Sequence, residues 1–460
     1  MPSINRNRRQ FLSDTFSAAA GFTAAGALSA LAKTSLGQAP LVRDLQAVND
    51  ETTGLPLLQL PPGFRYKSFG WTGDLMRDGH PTPAAHDGMA VVSEDEGVVT
   101  LIRNHEISGF GKSLPIAGST FDTKAGGGCT SLRFDTRSGK WLDAWTSCSG
   151  TVRNCAGGVT PWGTWLTCEE TLVQPGDLDD DKPIDLDQEH GWIFEVHPDG
   201  KQEAVPLKAM GRMVHEAIAI DRETGIVYET EDRGAAGFYR FIPNQPGRLA
   251  EGGKLEMLKA VEHPNLSGRV KNGAKFDVEW VPIENPTWAH TPGSQDSSGL
   301  FNQGLAQGGT TFSRLEGCWA GDDRIFFDST SGGLEHAGQI WAFDPKNQTL
   351  EMLYESPGAE VLNMPDNLCV SPKGGLLLCE DSDYGKFAQQ RVHLLDQSGQ
   401  LSLFAVNSVQ LNGEHNGIKG DFRGREWAGA SFSPDGQWLF INIQTPGITF
   451  AITGPWDDVL

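Results

Sequence analysis

Short apolar runs recur along the chain, each doubling back at a polar turn. In VSPKGGLLLC (370–379) an apolar residue is followed by Ser-Pro-Lys-Gly-Gly and then by a second apolar run. The same order appears in FDTRSGKW (134–141), VHPDGKQ (196–202), IDRETGIVYET (220–230), FDPKNQTL (343–350), LDQSGQL (395–401) and FSPDGQWLFIN (432–442). Apolar alternation on either side of an Asp/Pro/Asn/Gly turn is the pattern of two strands joined by a tight hairpin. Amphipathic stretches of ten or more residues, which a parallel α/β fold would need between its strands, are almost absent after the N-terminal segment. The pattern therefore predicts an all-β chain, and irregular β units recurring over more than 350 residues favour a propeller. Segments such as 245–310, rich in Gly, Pro, Asn and Ser, read as long loop insertions within a single domain spanning 33–460.

Composition supports this reading. The 460 residues include 56 glycines, 26 prolines and 13 tryptophans, a mixture that suits many short strands and turns better than helices. The net charge of −22 argues against nucleic acid as a partner, because phosphate backbones are gripped by clustered Lys and Arg. Cations are the better expectation.

Residues 1–32 carry the pair Arg8-Arg9 ahead of Phe11-Leu12, then a short Ala/Gly-rich apolar stretch ending in Ala30-Leu31-Ala32. This is the form of a twin-arginine signal peptide. It implies engagement with the twin-arginine export machinery and a periplasmic or extracellular mature protein. No later run approaches the ~18 apolar residues that would mark a membrane span. The seven cysteines form no C-x-x-C pair, so a zinc ribbon is not expected.

Polar clusters stand at wide intervals: His86-Asp87, His105-Glu106, Cys155, Glu169-Glu170, His215-Glu216 and Glu231-Asp232 in the first half. Arg314 with Glu316, Asp366-Asn367, Glu380-Asp381 and Glu426 follow in the second. In a propeller the innermost strands border one channel, so residues far apart in sequence can converge. Several of these acids have small or apolar neighbours. Buried carboxylates must be protonated, paired or metal-bound, and too few Lys or Arg lie beside them to pair them all. Oxygen donors suit calcium, while a thiolate beside carboxylates suits a transition ion such as iron. The run GDLDDDKPIDLDQEH (176–190) lacks the glycine and terminal glutamate of an EF-hand loop and reads as a solvated surface segment.

The strings RNHE, NCAGGVTPWGTWLTCEE, HEAIAIDRETGIVYETEDRG, FYRFIP, TFSRLEG, PDNL and FSPDGQWLFINIQTPGITFAITGPW together resemble the PhoX-type alkaline phosphatases, in order from about residue 60 to the C-terminus. The resemblance implies a six-bladed β-propeller that hydrolyses phosphomonoesters using two ferric ions and several calcium ions. It implies Cys155, Glu216 and Glu316 on the iron pair, with Arg314 facing the substrate phosphate. Calcium would take Glu169 or Glu170, Glu231 or Asp232, Asp366, Asn367, and Glu380 or Asp381. Neighbours on a strand face opposite ways, so one member of each adjacent pair is expected to point inward. Chemistry would then be attack on phosphorus by a metal-activated nucleophile, with the remaining cations neutralising phosphate oxygens. Neither a G-x-S-x-G elbow nor a P-loop is present.

Blander readings remain open at this stage. Cys155 could be a buried thiol or half of a disulfide with Cys148 or Cys168, Arg314 could be a salt-bridge partner, and His105, His215 and Glu106 could orient other groups. Competing functions are a calcium-dependent propeller hydrolase of lactones or phosphodi- and triesters, and a non-catalytic propeller that keeps calcium for stability. A monomer is expected.

Overall fold

The computed structural model describes residues 44–108, 119–179, 182–382 and 389–460. The signal-peptide expectation for 1–32 lies outside them. Strands dominate, and the single α-helix among the described residues is the short Gly299–Leu305. Among these residues no helix is long and apolar enough to cross a membrane.

Six strands organise the molecule: His86–Asp95, Asn154–Val159, His215–Ile220, Leu315–Ala320, Pro365–Val370 and Trp427–Phe432. Each is the edge of its sheet and pairs antiparallel with the strand that follows it. Each also contacts the next of the six, and the last returns to the first, so they form a closed inner ring. The arrangement is propeller-like. Backbones in the ring approach so closely that a Cβ on Gly158 would sit 2.1 Å from Ile218 O, and one on Gly317 would sit 2.3 Å from Asp366 O. Only glycine fits there.

The sheets themselves do not divide into six separate units. Of those that border the ring, two have four strands, one has three and one has six, while a nine-stranded sheet runs from His215–Ile220 round to Leu315–Ala320. The nine-stranded sheet exists because Lys275–Asp277 pairs with Thr349–Glu351, fusing what the sequence would write as two units. This also corrects the reading of 245–310 as insertion. Gly253–Ala260 and Lys275–Pro282 pair with each other and extend the sheet, their alternation hidden between Gly- and Pro-rich flanks. Near its other end the chain closes on itself: Arg65–Phe69 pairs with the C-terminal strand Ile448–Thr453.

Apolar faces meet between neighbouring sheets. Phe238 stacks on Phe327 with ring centroids 4.2 Å apart, and Phe134 packs edge-on against Trp438 and Phe440 from the C-terminal sheet. Each such buried ring contributes roughly 1.5–3 kcal/mol of apolar burial, and this packing fixes the sheets around the axis.

Candidate metal centre

Every inner strand breaks register with its neighbour near its start. The irregularities fall between His86 and Met89, Asn154 and Gly157, His215 and Ile218, Leu315 and Cys318, Pro365 and Leu368, and Ala428 and Ser431. A bulge leaves residues unpaired and turns their side chains out of the ladder. In five of the six, the first residue of the break is Asp87, Cys155, Glu216, Glu316 or Asp366. In the sixth it is Gly429. One backbone device, repeated, thus sends four acids and a thiol into the ring.

Two tight groups result. A thiol sulfur and carboxylate oxygens of Cys155, Glu170 and Glu216 lie within 4.8 Å of one another, and so do carboxylate oxygens of Asp87, Glu106 and Glu426. Arg153 bridges the groups, bonding Glu106 at 3.0 Å and Glu170 at 2.5 Å. Glu170 in turn touches Asp232, whose carboxylate accepts from Arg314 at 2.9 and 3.2 Å. Arg314 also pairs with Glu316, and Glu316 meets Asp366. Burial pushes the Glu170, Glu216, Glu316, Asp87 and Glu426 carboxyls far above their usual range, with repulsion from neighbouring carboxylates adding to it. Asp366 is raised to about 7, chiefly by burial and then by Asp381. Burial also raises the Cys155 thiol, with Glu216 the next contributor.

The adjacent pairs separate cleanly. Glu169 is buried in the scaffold: one oxygen accepts from Val152 N and His190 Nδ1, the other from Gly191 N and Trp192 N. Glu231 accepts from Gly237 N and the Tyr239 hydroxyl, and burial raises it to about 7. Glu380 is bonded by Arg391, His393 Nε2 and Asn363 N. Of these three, expected as possible calcium ligands, Glu169 and Glu380 have both oxygens engaged elsewhere, and Glu231 has Oε2 engaged. Asn367 likewise spends its amide inside the frame, donating to Asp366 and accepting from Gly429 N. Glu170, Asp232 and Asp381 are the members near the ring. The sequence placed Asp87, Glu106 and Glu426 among the converging polar clusters but assigned them to no metal, and it gave Arg153 no role. A usable signal was present: Asp87-Gly88 repeats the acid-then-small order of Glu216-Ala217 and Glu316-Gly317.

His105 bonds Ala84 O and Thr130 Oγ1, and His215 bonds Gly211 O. All seven cysteines are buried free thiols, so neither disulfide considered for Cys155 is formed.

Side chains on the strand beside one inner strand also hold the backbone of the next inner strand at the candidate ligands. Asn104 Nδ2 donates to Cys155 O (3.1 Å) and Ala156 O (2.7 Å), while its Oδ1 accepts from Trp165 Nε1, Thr167 Oγ1 and Cys129 Sγ. Thr230 Oγ1 donates to Glu316 O and Asn442 Nδ2 to Asp87 O, each at 2.6 Å.

Such a concentration of buried acids, with two guanidiniums set among them, is unfavourable unless cations enter. The donor sets fit that: sulfur with carboxylates in one group suits iron, and oxygen alone in the other suits calcium. A family model described as alkaline phosphatase PhoX matches residues 40–144 and 142–447. Among solved structures, PhoX of Pseudomonas fluorescens in complex with vanadate, a transition state analogue, is similar in fold, with a TM-score of 0.62 and 17% identity over 89% of this chain and 98% of that one. A gluconolactonase of Xanthomonas campestris aligns at a TM-score of 0.39 with 13% identity, over 92% of this chain and 99% of its own. No curated protein sequence matches.

Proposed function

The chain belongs to the PhoX alkaline phosphatase family, and on that premise we propose that it hydrolyses phosphomonoesters to alcohol and inorganic phosphate at a mixed iron and calcium centre on the propeller axis. The observation that carries the reading is the convergence of Cys155 with Glu170 and Glu216, a thiol among acids drawn from two different sheets. Cys155, Glu216 and Glu316 would hold iron. Asp87, Glu106 and Glu426, with Asp366, Asp381, Asp232 and Glu170 beside them, would hold calcium. Bound there, the metals supply charge neutralisation and a nucleophile of lowered pKa.

The protein's own groups do the rest. Arg314 is held by Asp232 and Glu316 and presents its fork toward phosphate oxygens, a geometry that guanidinium suits better than ammonium. The bulged strands fix donor positions before any ion arrives, and the bonds from Asn104, Thr230 and Asn442 stiffen that frame. The ring of six inner strands supports counting six blades, two of them fused through one sheet. The Arg8-Arg9 segment supports export by the twin-arginine route to the periplasm or beyond, and we take the mature protein to be a monomer.

Metal analysis of natively exported protein, paired with turnover of p-nitrophenyl phosphate, tests the reading. Expected are iron and calcium together, activity abolished by a calcium chelator, and loss of at least about a hundredfold in Cys155→Ala. Calcium without iron, combined with turnover of lactones or phosphodi- or triesters but not monoesters, would replace it with the alternative hydrolase. Chelation that lowers the melting temperature of a protein inert toward all these substrates would leave a calcium-stabilised binding propeller.

A further inference from the structure

Arg153 and Arg314 occupy the same place in two different sheets. Each immediately precedes an inner strand, and each has a left-handed backbone, with φ of 50° and 47°. Each carbonyl accepts the N–H that follows the second strand of its own sheet: Glu170 N at 2.9 Å for Arg153, Thr330 N at 2.8 Å for Arg314. Each guanidinium reaches back to the carboxylate that follows the strand paired with the preceding inner strand, Glu106 for Arg153 and Asp232 for Arg314. Those two acids are themselves equivalent, their N–H groups bonding Ala85 O and Val214 O ahead of their own inner strands.

Ala85 and Met364, ahead of two other inner strands, share this left-handed backbone, with φ of 51° and 52°, so the turn belongs to the repeat and the guanidiniums are what set Arg153 and Arg314 apart. The side chains stay 38% and 33% exposed, and neither uses Nη1 for any hydrogen bond among the described residues. Both forks therefore keep an edge free for an incoming anion. The Glu170 and Asp232 carboxyls stand in series between the two guanidiniums.

We propose that Arg153 is a specificity-determining residue that receives a second anionic group on the substrate, while Arg314 faces the phosphoryl group. The inference rests on the phosphomonoesterase reading above and narrows it: favoured substrates are phosphate monoesters that also carry a carboxylate or a second phosphate. Esters of neutral alcohols leave the Arg153 edge unused.

A matched pair of esters tests this, 3-phosphoglycerate against glycerol 3-phosphate, which differ in a carboxylate. The wild type is expected to favour 3-phosphoglycerate in kcat/KM by roughly tenfold, the effect of one charge-assisted hydrogen bond in a partly wet site. In Arg153→Gln that ratio falls to about one, and in Arg153→Lys part of it returns. The ratio is taken within one preparation, so any loss of metal-loaded centres divides out. If Arg153→Gln is inactive, calorimetry on the holoprotein with 2-carboxyethylphosphonate and propylphosphonate, which cannot be hydrolysed, reads the same preference as a ratio of Kd values. A wild type indifferent to the carboxylate, or a ratio unchanged in Arg153→Gln, overturns the assignment and leaves Arg153 as a bridge between acids. Failure of the wild type to hydrolyse either ester would instead count against the phosphomonoesterase reading itself.

Discussion

Glu169 and Glu170 are chemically identical neighbours with opposite fates. Glu169 has both oxygens filled by three backbone N–H groups and an imidazole, a completed site that needs nothing more. Glu170 meets Cys155, Glu216, Arg153 and Asp232, and its carboxyl is driven upward in pKa by burial and by other acids. The contrast recurs at Glu231 and Asp232, and at Glu380 and Asp381. In each pair the first residue closes the scaffold and its neighbour faces the ring. Burial alone therefore does not mark a functional acid; the unmet demand for positive charge does.

That distinction can be broken by exchanging one atom in each. Glu170→Gln should reduce phosphomonoester turnover by about a thousandfold, or about 4 kcal/mol of transition-state stabilisation, while folding stability stays within about 1 kcal/mol. Glu169→Gln should do the reverse. Whichever way its amide turns, the nitrogen would face at least one backbone donor, costing about 2 kcal/mol in urea unfolding, with activity per folded molecule largely kept. Similar stability losses in the two variants would erase the comparison.

A smaller effect sharpens the role of the frame. Asn104→Ala strips partners from two carbonyls at the start of the Asn154–Val159 strand and from Trp165 Nε1. We expect a loss of about 2 kcal/mol, together with a weakened thiolate-to-iron charge-transfer band per iron bound, since Cys155 sits on the strand set loose. An unaltered band would make Asn104 a purely structural residue.

The smallest effect comes from a carboxylate paired in partial contact with water. Asp143 is held below the usual range, first by its hydrogen bond to Arg133 and further by Arg77. Because the folded value is depressed, its contribution is present above the unfolded pKa of about 3.9 and fades as pH falls through the folded value. Wild type should exceed Asp143→Asn by about 0.5–1 kcal/mol at pH 6, and the gap should close once pH has fallen below the folded value. A gap that persists in acid would mean that packing, not charge, holds Asp143.

Several features could be read from the chain directly. Hairpins such as 370–379 and 432–442 appear as strand, turn and strand because alternation and turn chemistry are local. The donor types are legible too, since Cys155, Glu216 and Glu316 each lie in a distinctive string. Asp87 and Glu426 were harder, because a single acid in a short motif says nothing about its neighbours some hundreds of residues away. The strands at 253–260 and 275–282 were lost among the glycines and prolines that flank them.

Read alone, the chain specifies the local pieces of the fold and of the site: period-two strands, tight turns, an excess of acids and one thiol among them. Which acids became partners was decided only in three dimensions. A side chain's direction on a strand reverses with each residue and shifts at each bulge, and both depend on register with a neighbouring strand. Convergence on the axis depends further on six inner strands closing into a ring, a constraint that no local stretch contains.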